Sequence, residues 1–172
     1  MTQHSARSMS IAITGGLAAA VFLRSGLYFW AGAVAWAICM EAGGNGDAIK
    51  RTIAGTAFGA VLGWAALVVA LLIPVPQSDW AWVTRGAILV AVTLWIAASA
   101  SKTGLLSNFT AVLAGYGAVF GAYYMAVLQM AGLARLTTYQ LENPLVAVVI
   151  SMAVGALFGA LSSRLTASFA KG

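Results

Sequence analysis

The chain predicts an all-α polytopic membrane helical bundle of about six segments, arranged as two inverted three-helix repeats. Composition is the first ground: of 172 residues 62% are hydrophobic and only 8% charged, too little polar surface to coat a soluble domain. Patterning is the second. Charge-free apolar windows alternate with short polar breaks, and helices rather than open strands satisfy their own backbone groups in lipid. The third is internal similarity. Thr56-Ala-Phe-Gly-Ala-Val-Leu-Gly-Trp-Ala65 and Met152-Ala-Val-Gly-Ala-Leu-Phe-Gly-Ala-Leu161 share a small-xxx-small core, Gly59 and Gly63 in one, Gly155 and Gly159 in the other. With three crossings per copy, the second copy enters the bilayer from the opposite side, an arrangement typical of transporters.

The segments follow in order. The first, 9–23, comes after Arg7 and is expected to be retained rather than cleaved as a secretory signal, because a second apolar run follows at once. The second, 27–40, holds about 14 apolar residues before Glu41, below the roughly 17 to 25 that a crossing needs. The turn Gly43-Gly-Asn-Gly-Asp47 and the pair Lys50-Arg51 precede the third, 52–74. Pro74-Val-Pro-Gln-Ser-Asp79 joins the repeats, and segments four to six occupy 80–100, 105–125 and 144–165. The second and fifth segments, equivalent in the two copies, are read as short or half-spanning. Residues 1–172 are expected to form a single integral membrane domain, with repeat 1 at about 9–74 and repeat 2 at about 80–166.

The net charge of +5 does not point to nucleic acid, since Lys50-Arg51 is the largest basic cluster and the other basic residues stand singly between spans. Arg7, Lys50, Arg51, Lys102, Arg164 and Lys171 collect on one predicted side, Arg24, Arg85 and Arg135 on the other; this bias predicts both termini in the cytoplasm. A single cysteine, Cys39, excludes an intramolecular disulfide, and the single histidine, His4, leaves no His/Cys metal cluster. Without paired carboxylates, a Ser/His/Asp set or a phosphate loop, the chain is not expected to be an enzyme, and it calls for no cofactor.

Two groups of residues stand out. Gly55, Gly59 and Gly63 form one stripe and Gly155 with Gly159 another, where a second backbone can approach closely; their expected role is helix packing between the copies. The others are candidates to line a solute path. Glu41 closes the short second segment, and an acidic group near lipid depth is costly unless it meets water or a cation. Asn108 and Thr110 open the fifth segment, as helix caps or as polar contacts for a solute. Trp30, Trp36, Tyr116 and Phe120 crowd the second and fifth segments, where they either frame a narrow path or pack the helices. Arg24, Arg85 and Arg135 read as snorkelling anchors at span ends.

The segments Leu27-Tyr-Phe-Trp-Ala-Gly32, Gly55 to Gly63, Leu105-Leu-Ser107 and Gly115-Tyr-Gly-Ala-Val-Phe120 resemble the YcdZ-like family of bacterial inner-membrane proteins of unknown function. Matching order and spacing run from about Ser10 to Leu165, with Trp30-Ala31-Gly32 and Gly115, Ala118 and Phe120 the clearest elements; Thr110 departs from the family, where a proline is usual. The resemblance implies a multi-pass inner-membrane placement and no established activity. Guided by it, the repeat extends backward to set Trp30 against Thr110, Trp36 against Tyr116 and Met40 against Phe120.

The expected function is a membrane channel or facilitator for a small neutral or weakly polar solute, with the path at the pseudo-two-fold interface around Trp36 and Tyr116. The alternatives are an ion-coupled secondary transporter using Glu41, and a non-transport module that binds a partner or lipid. Expected partners are the lipid bilayer, the solute and further copies of the chain in a homo-oligomer, because six short helices make a slender bundle.

Overall fold

The computed structural model describes residues 2–74, 79–102, 104–128, 135–138 and 140–171. Among these residues it is all-helical, with six principal elements: α1 (Gln3–Ser25), α2 (Phe29–Glu41), α3 (Gly46–Leu72), α4 (Asp79–Ala100), α5 (Phe109–Leu128) and α6 (Pro144–Lys171). Five are long and apolar enough to cross a membrane, and α2 is the short one. Its 13 residues reach about 20 Å at roughly 1.5 Å per residue, against a hydrocarbon core of about 30 Å. The fifth segment corrects the expectation of a short partner for α2. It is a full 20-residue span, because Asn108 accepts the N–H of Ala111 to start it cleanly and nothing helix-breaking follows before Leu128.

Two other helices start earlier than hydropathy suggests, and capping explains both. The side chain of Thr2 accepts from Ser5 at the head of α1, and that of Asn45 accepts from Ala48 at the head of α3. Polar first turns are therefore held helical before the apolar stripe begins. The turn before α3 is built on Gly43 and Gly44, both at positive φ, where a side chain would be strained.

Packing is dominated by two crossings, α3 on α5 and α2 on α6, with α1 lying along α6 and α4 lying loosely on α3. The helices thus form two lobes, α1/α2/α6 and α3/α4/α5, which meet chiefly where α3 touches α6. Glycine sets the closeness of both main crossings. A Cβ on Gly59 would run into the carbonyl of Val112, and one on Gly155 into the carbonyl of Gly32. One turn further on, a Cβ on Gly63 would come within 2.8 Å of the Tyr116 carbonyl oxygen, and one on Gly159 within 2.6 Å of the Trp36 carbonyl oxygen. With Trp36 set against Tyr116, Gly32 falls against Val112, so the two crossings are the same contact made twice.

The likeness extends outward. Thr14 on α1 and Thr93 on α4 each turn their hydroxyl onto the carbonyl four residues back, at 2.7 Å in both cases. Trp36 Nε1 donates to the sulfur of Met40, and Tyr116 stacks on Phe120, again one turn along the helix. Between the lobes lies a core of small and branched residues, among them Ala31, Ala35, Ala60, Val119, Ala122, Val148 and Met152, all with no exposed surface. Large side chains that face outward, such as Leu23, Leu72, Trp80 and Trp95, suit contact with lipid.

Candidate functional site

The charged residues sort by end. Contacts of Arg7 with Glu41, of Ser10 with Ser162 and of Gly44 with Ser163 bring together the start of α1, the ends of α2 and α6, and the start of α3. At this basic end, a cleft of about 390 Å³ between α2 and α5 is lined by Ala37, Ile38, Glu41, Ala42, Asn108 and Thr110. A second, more polar cleft of about 480 Å³ shares Ala42 and Asn108 with it and adds Asn45, Asp47, Ala48, Arg51 and Ser107. Together they make one vestibule at the α2–α5 seam.

Local structure positions each polar group. Glu41 is the last residue of α2, and its carboxylate is held by Arg7 reaching across from α1. Both side chains are more than half exposed, so this pair orients the carboxylate more than it stabilises the fold. Asn108 and Asn45 each spend their Oδ1 on capping a helix, which leaves their amide NH2 groups as the free end. Ser107 donates its hydroxyl hydrogen to the carbonyl of Gly104 at 3.0 Å, so toward the cleft it offers lone pairs.

The opposite end of the seam, among the described residues, carries a larger side chain. Trp30, on the first turn of α2, lays its indole rim over Gly121 of α5, where an added Cβ would come within 3.2 Å of the ring. Leu136, from the connection before α6, is completely buried in the inter-lobe core. Its carbonyl accepts from Trp64 Nε1 and from the Asn143 side chain, both at 3.1 Å, and Asn143 also donates to the carbonyl of Thr138 and accepts from the N–H of Leu145. These bonds tie residues 136–138 to α3 and to the head of α6.

Of the path residues read from sequence, Glu41, Asn108 and Thr110 come together on one cleft. Trp36 and Tyr116 turn to different neighbours instead. Trp36 packs against Phe158 and approaches Gly15 of α1, lining a groove of about 210 Å³ with Arg7 and Glu41. Tyr116 bonds its hydroxyl to Thr93 of α4 at 2.9 Å and stacks on Phe120. Trp30 lies at the opposite end. Gly55, Gly59 and Gly63 abut α5, and Gly155 and Gly159 abut α2. Arg85 donates to the carbonyl of Ile73 at the end of α3, satisfying an acceptor that the helix leaves open.

Sequence reasoning passed over Asn45, Asp47, Arg51 and Ser107 as site residues, although the turn before α3 places polar groups beside the start of α5. The signal available was a charged turn one residue away from the Glu41 helix end, read only for topology. Leu136 and Asn143 were also passed over; the Asn-Pro step at the head of α6 was the available hint.

Six helices with five membrane-length apolar spans and a polar vestibule at one end of the seam define a multi-pass membrane protein. The chain belongs to the DUF1097 family, described as protein of unknown function, which matches residues 8–167. No curated protein and no solved structure matches it.

Proposed function

We propose that the chain is a facilitator that moves a small neutral solute across the bacterial inner membrane along the seam between its two lobes. The observation that carries this reading is the convergence of Glu41, Asn108 and Thr110, from two lobes, on a single cleft at one end of that seam. Small polar groups at a mouth and a gated apolar passage behind it suit selection by size and hydrogen bonding. Because the core beyond the cleft is packed, passage requires the lobes to rock about the α3–α6 contact. The glycine crossings then stay closed within each lobe, and the α2–α5 seam opens at alternate ends. The six helices act here as two inverted repeats, 9–74 and 80–166, and the basic end faces the cytoplasm.

No chemical step is assigned. Coupling to an ion through Glu41 is the weaker reading, because Arg7 already neutralises that carboxylate. The YcdZ-like relationship belongs to the same proposal, on the strength of Trp30-Ala31-Gly32 and Gly115, Ala118 and Phe120. So does a homo-oligomer, with α4, whose membrane window is only 6% buried, as the helix open to a second copy.

The test is stopped-flow light scattering of proteoliposomes shrunk with urea, glycerol, small amides and salts. The reading expects reswelling that is faster than in empty liposomes for a subset of neutral solutes, and slowed by Asn108→Leu. Identical traces with and without protein for every solute would remove it.

A further inference from the structure

The polar half of the vestibule names a class of solute. Asp47 and Arg51 stand one turn apart on α3 and both line the 480 Å³ cleft. An acidic residue four positions before a basic one is the favourable arrangement for an ion pair on a helix. Yet neither side chain makes a hydrogen bond or ion pair among the described residues, whereas Arg7 and Glu41 nearby do pair. The cleft therefore presents an exposed carboxylate and an exposed guanidinium, one turn apart on α3, neither tied to another side chain among the described residues.

The remaining wall groups divide in the same way. With their Oδ1 atoms committed to capping, Asn45 and Asn108 offer N–H donors, which join Arg51 as partners for an anionic oxygen pair. Ser107, its hydrogen committed to Gly104, offers acceptor lone pairs, which join Asp47 as partners for a cationic N–H group. A purely anionic solute would leave Asp47 opposed, and a purely cationic one would leave Arg51 opposed. A neutral amide would bond both groups but bring no opposite charge to either.

We propose that this cleft binds small zwitterions that carry a carboxylate and an ammonium on a short backbone, the class of free amino acids. Arg51 with the two asparagine amides takes the carboxylate, and Asp47 with Ser107 takes the ammonium. The inference deepens the facilitator reading and rests on it only for transport; binding stands on the cleft alone.

The experiment is titration calorimetry of the full chain in nanodiscs with four probes of similar size: glycine, acetate, methylammonium and acetamide. Glycine is expected to bind at least about tenfold more tightly than any of the other three, since each charge-assisted set is worth a tenfold factor or more. Asp47→Asn should reduce glycine to the level of acetate, and Arg51→Gln should reduce it to the level of methylammonium. A merely structural role for either residue would weaken all probes together. Lys102→Gln, outside the cleft, should bind glycine as the native chain does. Glycine binding no tighter than acetamide overturns the inference, as does a uniform loss across probes in both variants. Flux of urea or acetamide without glycine binding would leave the facilitator reading standing and this one fallen. Glycine binding without any flux would do the reverse.

Discussion

The two ends of the α2–α5 seam occupy equivalent positions and are built oppositely. In the register that sets Trp36 against Tyr116, Thr110 corresponds to Trp30 and Glu41 corresponds to Gly121. At the basic end a small Thr110 lines a cleft with Glu41; at the other end a large, partly exposed Trp30 lies over Gly121. The second half also buries Leu136 in the inter-lobe core, from a connection where the first half has a four-residue turn, 42–45. The glycine crossings of the two halves are alike, while the seam ends differ in side-chain volume. The frame is therefore common to both ends, and the described side chains at the two ends differ in size.

Breaking the frame should have the largest effect, because it removes both ends at once. Gly59→Leu or Gly155→Leu sets a side chain against the backbone of α5 or α2, and neither backbone can yield without separating the helices. Both variants are expected to lose monodisperse folded protein in detergent size-exclusion chromatography. Gly117→Leu, which meets open space, is expected to elute as the native chain does.

Loosening only the buried connection before α6 comes next. Leu136→Ala empties a fully buried site, at a cost of about 2 to 5 kcal/mol read from unfolding in mild detergent. Asn143→Ala leaves the carbonyls of Leu136 and Thr138 short of a donor, at about 1 to 3 kcal/mol. Tyr116→Phe removes one bond to Thr93 away from either end and should cost about 0.5 to 1.5 kcal/mol, with no change in solute flux. The smallest effect on stability belongs to the open end. Arg7→Gln breaks an exposed pair worth at most about 1 kcal/mol, so thermal unfolding should barely move.

Much of this frame was legible in the sequence, and the reasons are physical. Hydropathy located every long helix, since lipid imposes one polarity on a whole span. It missed the polar first turns of α1 and α3, which are held by the caps Thr2 and Asn45 rather than by apolar burial. The glycine stripes announced close approach, but a stripe carries no label for its partner. That α3 pairs with α5 and α2 with α6 follows only from the three-dimensional arrangement.

The site divides along the same line. Glu41, Asn108 and Thr110 stood out because polar groups are scarce and expensive at membrane depth. Asp47 and Arg51 did not, since charges at a membrane surface are ordinary and their orientation toward one cleft is a property of packing. The aromatic residues are ambiguous for a related reason. A buried ring serves helix packing as readily as a path, and Trp36 and Tyr116 turned out to face α1 and α4. Leu136 carried no signal at all, being one leucine in a chain rich in them.

The most direct test exchanges the two ends of the seam. Flux of a permeant neutral solute would be measured by stopped-flow reswelling in proteoliposomes for the native chain, for Thr110→Trp and for Trp30→Thr, with folding checked by size exclusion. If passage follows the α2–α5 seam, Thr110→Trp abolishes flux by filling the open cleft, and Trp30→Thr raises it by removing the larger side chain at the other end. Folded variants whose flux equals that of the native chain would place any solute path elsewhere and contradict the account.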